Sequence, residues 1–122
     1  FSFFNANLDL DLSDHYTFAD CGDVPVVPGS AVKTMKLAED MVDEIMASGA
    51  MPITLGGDHS VSIACVRAFA KHVKKPGLIL VDSHFDTALE VGGEELSHCC
   101  PITRARVHPR KGHHLNATRD DN

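Results

Sequence analysis

An α/β fold with a parallel sheet is predicted by three features of this 122-residue chain. Residues 51–55 and 78–81 are short apolar runs with the length of buried strands, and each runs into a polar turn. A segment with helical periodicity precedes the first run, and a second one lies between the two. Strands that alternate with helices pair in parallel through right-handed crossovers.

Residues 1–19 set acidic residues among scattered apolar groups without a sustained period, as expected of a loop or a strand remnant. Residues 24–27 are apolar but include Pro25, which lacks a ladder donor and restricts the run to an edge strand. Pro28-Gly29 breaks the chain, and Ser30 is placed to cap a helix. From 31 to 48, Met35, Ala38, Met41, Val42, Ile45 and Met46 recur every three or four residues, with Lys36, Glu39, Asp40, Asp43 and Glu44 on the other face. This is an amphipathic helix, stopped by Gly49, whose methionines fill core.

The strand at 51–55 leads through the turn 56–58 into a helix from Ser60 to about 73, with Ile63, Val66, Arg67 and Ala70 at helical spacing. Lys71, Lys74 and Lys75 gather at its end, where positive charge complements the helix dipole, and His72 in that cluster carries no assigned role. Pro76-Gly77 restarts the chain before the strand at 78–81. After Asp86, the pair Gly92-Gly93 among Glu90, Glu94 and Glu95 predicts an active-site loop. Beyond Ala105 the composition turns basic and polar, so the chain divides into a partial domain at 1–105 and a divergent, poorly ordered tail at 106–122.

Composition narrows the function classes. With 43% apolar and 23% charged residues, the chain is globular and one domain at most. A net charge of −6 opposes nucleic-acid binding, which needs clustered Lys and Arg, and suits a cationic substrate. No stretch approaches the roughly 18 apolar residues of a membrane span, and the start has no secretory pattern. Cys21, Cys65, Cys99 and Cys100 lack metal-ligand spacing, and the adjacent Cys99 and Cys100 are poor disulfide partners. Reduced thiols in the cytoplasm, lining a pocket, are expected.

The chemistry gathers where the two strands end. Asp82, His84 and Asp86 lie at alternate positions directly after 78–81, so an extended backbone would project all three to one side. His59 follows 51–55 in the same context. Carboxyl ends of strands are where open α/β sheets place their sites. Carboxylates with imidazole and no thiolate select a hard or borderline divalent ion, manganese first, with nickel and zinc possible. Each residue taken singly also fits a helix cap or a hydrogen-bonded loop side chain; two junctions together favour a metal site. A flavodoxin-like nucleotide module is disfavoured, because Gly56-Gly57 lacks a phosphate-binding glycine pattern.

The motifs Gly56-Gly57-Asp58-His59-Ser60 and Asp82-Ser83-His84-Phe85-Asp86-Thr87 resemble those of the ureohydrolases, the arginase and agmatinase family. Asp20-Cys21-Gly22-Asp23-Val24 and residues 94–101 extend the likeness over about 15–105. The resemblance implies a three-layer α/β/α fold with a parallel sheet, only partly represented in this chain. It implies two divalent ions, with Asp82 bridging them, His59 and Asp86 on one and His84 on the other. Hydroxide generated between the ions would attack the central carbon of a guanidinium group, releasing urea and an amine. His98 is the candidate proton shuttle for the departing nitrogen, with a loop histidine of no role as the alternative, and Asp86 would orient the hydroxide while holding metal.

Departures from the family pattern carry their own expectations. No later aspartate-x-aspartate motif follows, and Asp120-Asp121 is adjacent where alternation is required. The chain therefore reads as an internal fragment with four ligands of six, weak in metal binding and not catalytically competent alone. A truncated, inactive metal-binding fragment or pseudoenzyme is the alternative to a hydrolase. Ser83 and the Cys99-Cys100-Pro101 wall lean away from arginase itself and toward agmatinase or a relative acting on guanidinobutyrate, guanidinopropionate or guanidine. Homo-oligomers of the full-length protein are expected by the same resemblance.

Overall fold

The computed structural model describes residues 3–106, so the tail expected from 106 onward lies, past its first residue, outside the described residues. The chain opens with a small antiparallel hairpin in which β1 (Phe4–Asn5) pairs with β2 (Leu10–Asp11), Phe4 opposite Asp11 and Asn5 opposite Leu10. Asn5 closes the turn by accepting from the backbone N–H groups of Asn7 and Leu8 at 3.0 and 3.2 Å. Asp11 then accepts from Ser13 N–H at 2.9 Å and starts a single 3-10 turn at Leu12–Asp14. Phe3 stacks on Phe18, centroids 4.4 Å apart, tying this segment back on itself.

The two long helices form where periodicity places them. Helix α1 (Ala31–Ala47) is capped by Ser30, whose Oγ accepts from Lys33 N–H at 3.3 Å. It ends at Gly49, which takes the left-handed φ of +85° that a side chain would resist. Its buried face is Met35, Ala38 and Val42. Helix α2 (Val61–His72) buries Ile63, Ala64 and Ala68. That face is rotated from the expected Ile63, Val66, Arg67 and Ala70, because the small Ala64 and Ala68 let α1 approach closely. Met35, Ala38, Ile63 and Ala64 make the shared core, with Val24 and Leu96 packed against it.

Polar contacts close the far end of the helix pair. Lys71 Nζ reaches Glu39 Oε1 at 2.8 Å and Asp43 Oδ2 at 3.3 Å, while His72 Nε2 lies 2.6 Å from Asp43 Oδ1. A third helix, α3 (Pro101–Arg106), begins on a proline, whose missing N–H is harmless in a first turn. Pro101 and Cys100 are fully buried there.

The expected parallel sheet is not formed among the described residues. Among the described residues, 51–55 and 78–81 make no ladder with each other, and 24–27 makes none either. Val27 N–H instead donates to Thr34 Oγ1 at 2.9 Å. A parallel strand exists only where a neighbour supplies the complementary hydrogen bonds, and an apolar run is buried only where helices cover both faces. Met51, Ile53, Leu55, Ile79 and Val81 lack that cover, with Val81 94% exposed. No described helix is long and apolar enough to cross a membrane.

Candidate metal centre

His59 is delivered by the turn that starts α2. The Asp58 carboxylate accepts from Ser60 N–H at 2.9 Å and Ser60 Oγ at 2.5 Å, a local turn that fixes the backbone ahead of the helix. Gly56 packs closely on α2: a Cβ there would meet Val61 Cγ1 at 3.0 Å, so the valine would have to give by a few tenths of an ångström. The turn therefore lies flat on the first residue of α2, and His59 projects from it half-buried.

The other donors come from 82–86. Asp82 Oδ1 accepts from His84 N–H at 2.9 Å, curling the chain immediately after 78–81. Asp86 takes a φ of +46°, a left-handed conformation uncommon for a residue with a side chain. This bend ends the strand-like alternation and turns Asp86 toward His59. His59 Nδ1 lies 2.5 Å from Asp86 Oδ2 and 3.4 Å from Asp82 Oδ2. One donor atom from each of His59, Asp82 and Asp86 falls within 4.8 Å of the others.

Residues from two junctions far apart in sequence thus converge. His84 stands apart from the group. Its ring is 79% exposed, with Nδ1 3.5 Å from Asp82 Oδ1 and 3.2 Å from Ser83 Oγ. His98 is exposed on the loop that follows.

The field around the donors favours charged carboxylates. The backbone N–H of His84 holds the Asp82 carboxyl below its usual range, helped by His59 and His84. Asp58 is lowered chiefly by the Ser60 hydroxyl and further by the fields of His98 and His59. Two carboxylates and an imidazole, partly exposed and without a thiolate, match the donor preferences of a hard or borderline divalent ion. They fit such an ion without displacing any core residue.

Three residues behind the site carry structure that periodicity did not single out. Ile102 N–H donates to Asp86 O at 3.1 Å, Thr103 Oγ1 to Thr87 O at 2.7 Å, and Arg104 to Leu89 O and Glu95 Oε2. A cleft of about 590 Å³ lies between Gly29–Val32 and the loop residues Val91, Glu94, Leu96 and Ser97.

Comparison with known proteins points to one family. The family model described as the arginase family matches residues 2–117. An agmatinase of Bacillus subtilis is 37% identical over 98 residues, covering 80% of this chain and 33% of the relative. A guanidinobutyrase of Pseudomonas aeruginosa is 35% identical over 92 residues, 75% of this chain and 29% of the relative. In structure, a Clostridium difficile protein assigned as an agmatinase superposes with a TM-score of 0.78 at 28% identity, over 85% of this chain and 37% of its own. The chain spans about a third of the length of these relatives.

Proposed function

The chain belongs to the arginase family, and from that premise we propose that the protein carrying it hydrolyses a guanidino compound, agmatine or a related one, to urea and an amine. The observation that carries this reading is the convergence of His59, Asp82 and Asp86 from two separate junctions. Similarity to an agmatinase and a guanidinobutyrase supports the substrate class.

In this reading His59 and Asp86 would hold one divalent ion and His84 the other, with Asp82 shared between them. Manganese is the first expectation. A bound pair of such ions supplies hydroxide near neutral pH and positive charge where the reaction develops negative charge. Asp86 would orient the nucleophile while it holds metal. His98, exposed on the loop that follows Asp86, would donate the proton that the departing nitrogen requires. His84, whose ring is exposed just past the bend at Asp82, would have to turn toward the group to join it. The helices α1 and α2 become one outer layer of an α/β/α sandwich, with 51–55 and 78–81 as parallel strands beneath them. Their exposed apolar side chains support that assignment.

The second reading is a metal-binding chain without catalysis. One experiment separates the two. The full-length protein that carries this chain is stripped of metal, reloaded with Mn²⁺, and assayed for urea from agmatine and guanidinobutyrate. Urea release that disappears on chelation and returns with Mn²⁺ supports the hydrolase; Mn²⁺ binding without urea supports the second reading; full activity after exhaustive chelation defeats both.

A further inference from the structure

We infer that Arg104 is a positioning residue that braces the loop bearing His98 against the segment bearing Asp86; this rests on the hydrolytic reading above. The loop 87–99 leaves the Asp86 bend and returns to the first turn of α3. Its base is closed by Ala88 N–H donating to Cys99 O at 3.0 Å, and its tip by the reciprocal pair Val91 and Glu94 around Gly92 and Gly93. Both glycines have positive φ, as a tight reversal requires. Between base and tip the two limbs are tied by one side chain. Arg104 Nη2 donates to Leu89 O on the outgoing limb, and Nη1 donates to Glu95 Oε2 at 3.0 Å on the returning limb.

The burial is lopsided. The Arg104 side chain is 14% exposed, the Glu95 side chain 63%. A cation drawn that far from water needs compensation, and Nε–H, buried without a partner among the described residues, receives none. The guanidinium meets this with a rigid planar fork that sends one N–H group to each limb in a fixed geometry, where an ammonium is a point charge on a flexible stem. Neighbouring contacts run in the same direction: Ile102 and Thr103 hold the carbonyls of Asp86 and Thr87. The first turn of α3 thus grips 86–89, and Arg104 carries that grip across to the limb that leads from Glu95 to His98.

Arg104→Lys and Arg104→Gln are made in the full-length protein, with amide hydrogen exchange read by segment. Loss of a charge-assisted bond on each limb is expected to raise exchange in 88–96 by about tenfold while 31–47 and 61–72 keep their protection. Kinetics are measured per bound Mn²⁺, so that a smaller folded fraction does not count. Both variants are expected to lose about tenfold or more in kcat, with KM changed far less, because His98 is misplaced while the metal donors stay. Lysine restoring wild-type kcat would show that charge alone suffices and would overturn the brace, as would unchanged exchange in 88–96 or loosening spread evenly over α1 and α2. A wild-type protein that releases no urea refutes the proposed reaction, and the exchange pattern then decides the brace independently.

Discussion

Replacing Asp86 by asparagine tests the metal centre most directly, because it removes one negative charge while keeping a side chain of the same size beside the His59 ring. Asp86 Oδ2 is the nearest donor to His59 Nδ1, at 2.5 Å, and one of only two carboxylates in the described group. Two unit charges about 4 Å apart interact by roughly 4 kcal/mol at an effective dielectric near 20, and a divalent ion doubles that. Removing the carboxylate from water offsets a large share, leaving a few kcal/mol. Changes to residues that only support ligands already cost about 10–100-fold in affinity. A direct charged donor therefore contributes at least the upper figure, about 2.7 kcal/mol or 100-fold in Kd. The assay is titration of the metal-free, full-length protein with Mn²⁺, following the free ion by electron paramagnetic resonance. Asp40→Asn, on α1 and paired there with Lys36, is the control for loss of one surface charge. Thermal unfolding without metal should shift little for either variant, since the amide that replaces the Asp86 carboxylate still reaches the imidazole. Mn²⁺ affinity in Asp86→Asn within about threefold of wild type would refute the assignment of this carboxylate to the metal.

Ile63 is fully buried between α1 and α2, so Ile63→Ala should destabilise the protein by about 2–5 kcal/mol in urea denaturation; a loss under about 1 kcal/mol would mean that the helix interface is not the core described. The Asp43 carboxyl is held below its ordinary 3.8 first by the His72 hydrogen bond and then by Lys71. A depressed carboxylate contributes stability that is complete above the unfolded value and is lost as pH falls through the folded one. Asp43→Asn should therefore lower stability at neutral pH and converge with wild type only as pH falls from 3.8 through the lower folded value, and parallel profiles would count against the contact. Lys71 is raised above 10.5, chiefly by Glu39, so its contribution persists to neutral and mildly alkaline pH and is lost only as pH rises through the folded value. Lys71→Met should lower stability near pH 8, seen in chemical denaturation. His98→Asn in the full-length protein should reduce turnover with metal content nearly unchanged; loss of metal would make His98 a ligand, and unchanged kinetics would leave it without a role.

The helices were legible because their information is local. Ser30 as cap, the stripe beginning at Met35 and the stop at Gly49 all act within one element, and α1 forms between them. The strands were legible as apolar runs but not as ladders, since a parallel ladder depends on distant partners that no window of sequence contains. Residues 51–55 and 78–81 therefore keep their composition in the structure without the pairing it predicted. The rotated face of α2 has a similar origin. Spacing marks Val66 and Ala70 as readily as Ala64 and Ala68, and only the approach of α1 selects between them.

The site shows why alternation alone was a partial guide. On an ideal strand Asp82, His84 and Asp86 would point one way, and an ion group of those three would form without help from elsewhere. The chain instead bends twice within this short segment: the Asp82 carboxylate captures His84 N–H, and Asp86 adopts a left-handed φ. The first bend leaves the His84 ring exposed, and the second brings Asp86 to His59. A left-handed aspartate costs on the order of 1–3 kcal/mol unless its surroundings hold it. Here Ile102 N–H holds the Asp86 carbonyl and Thr103 the next one, so α3 supplies from behind what the local sequence disfavours. The donors are thus chosen by residues 82–86, but their convergence depends on residues 102–104, and those lie too far along the chain for a spacing rule to include.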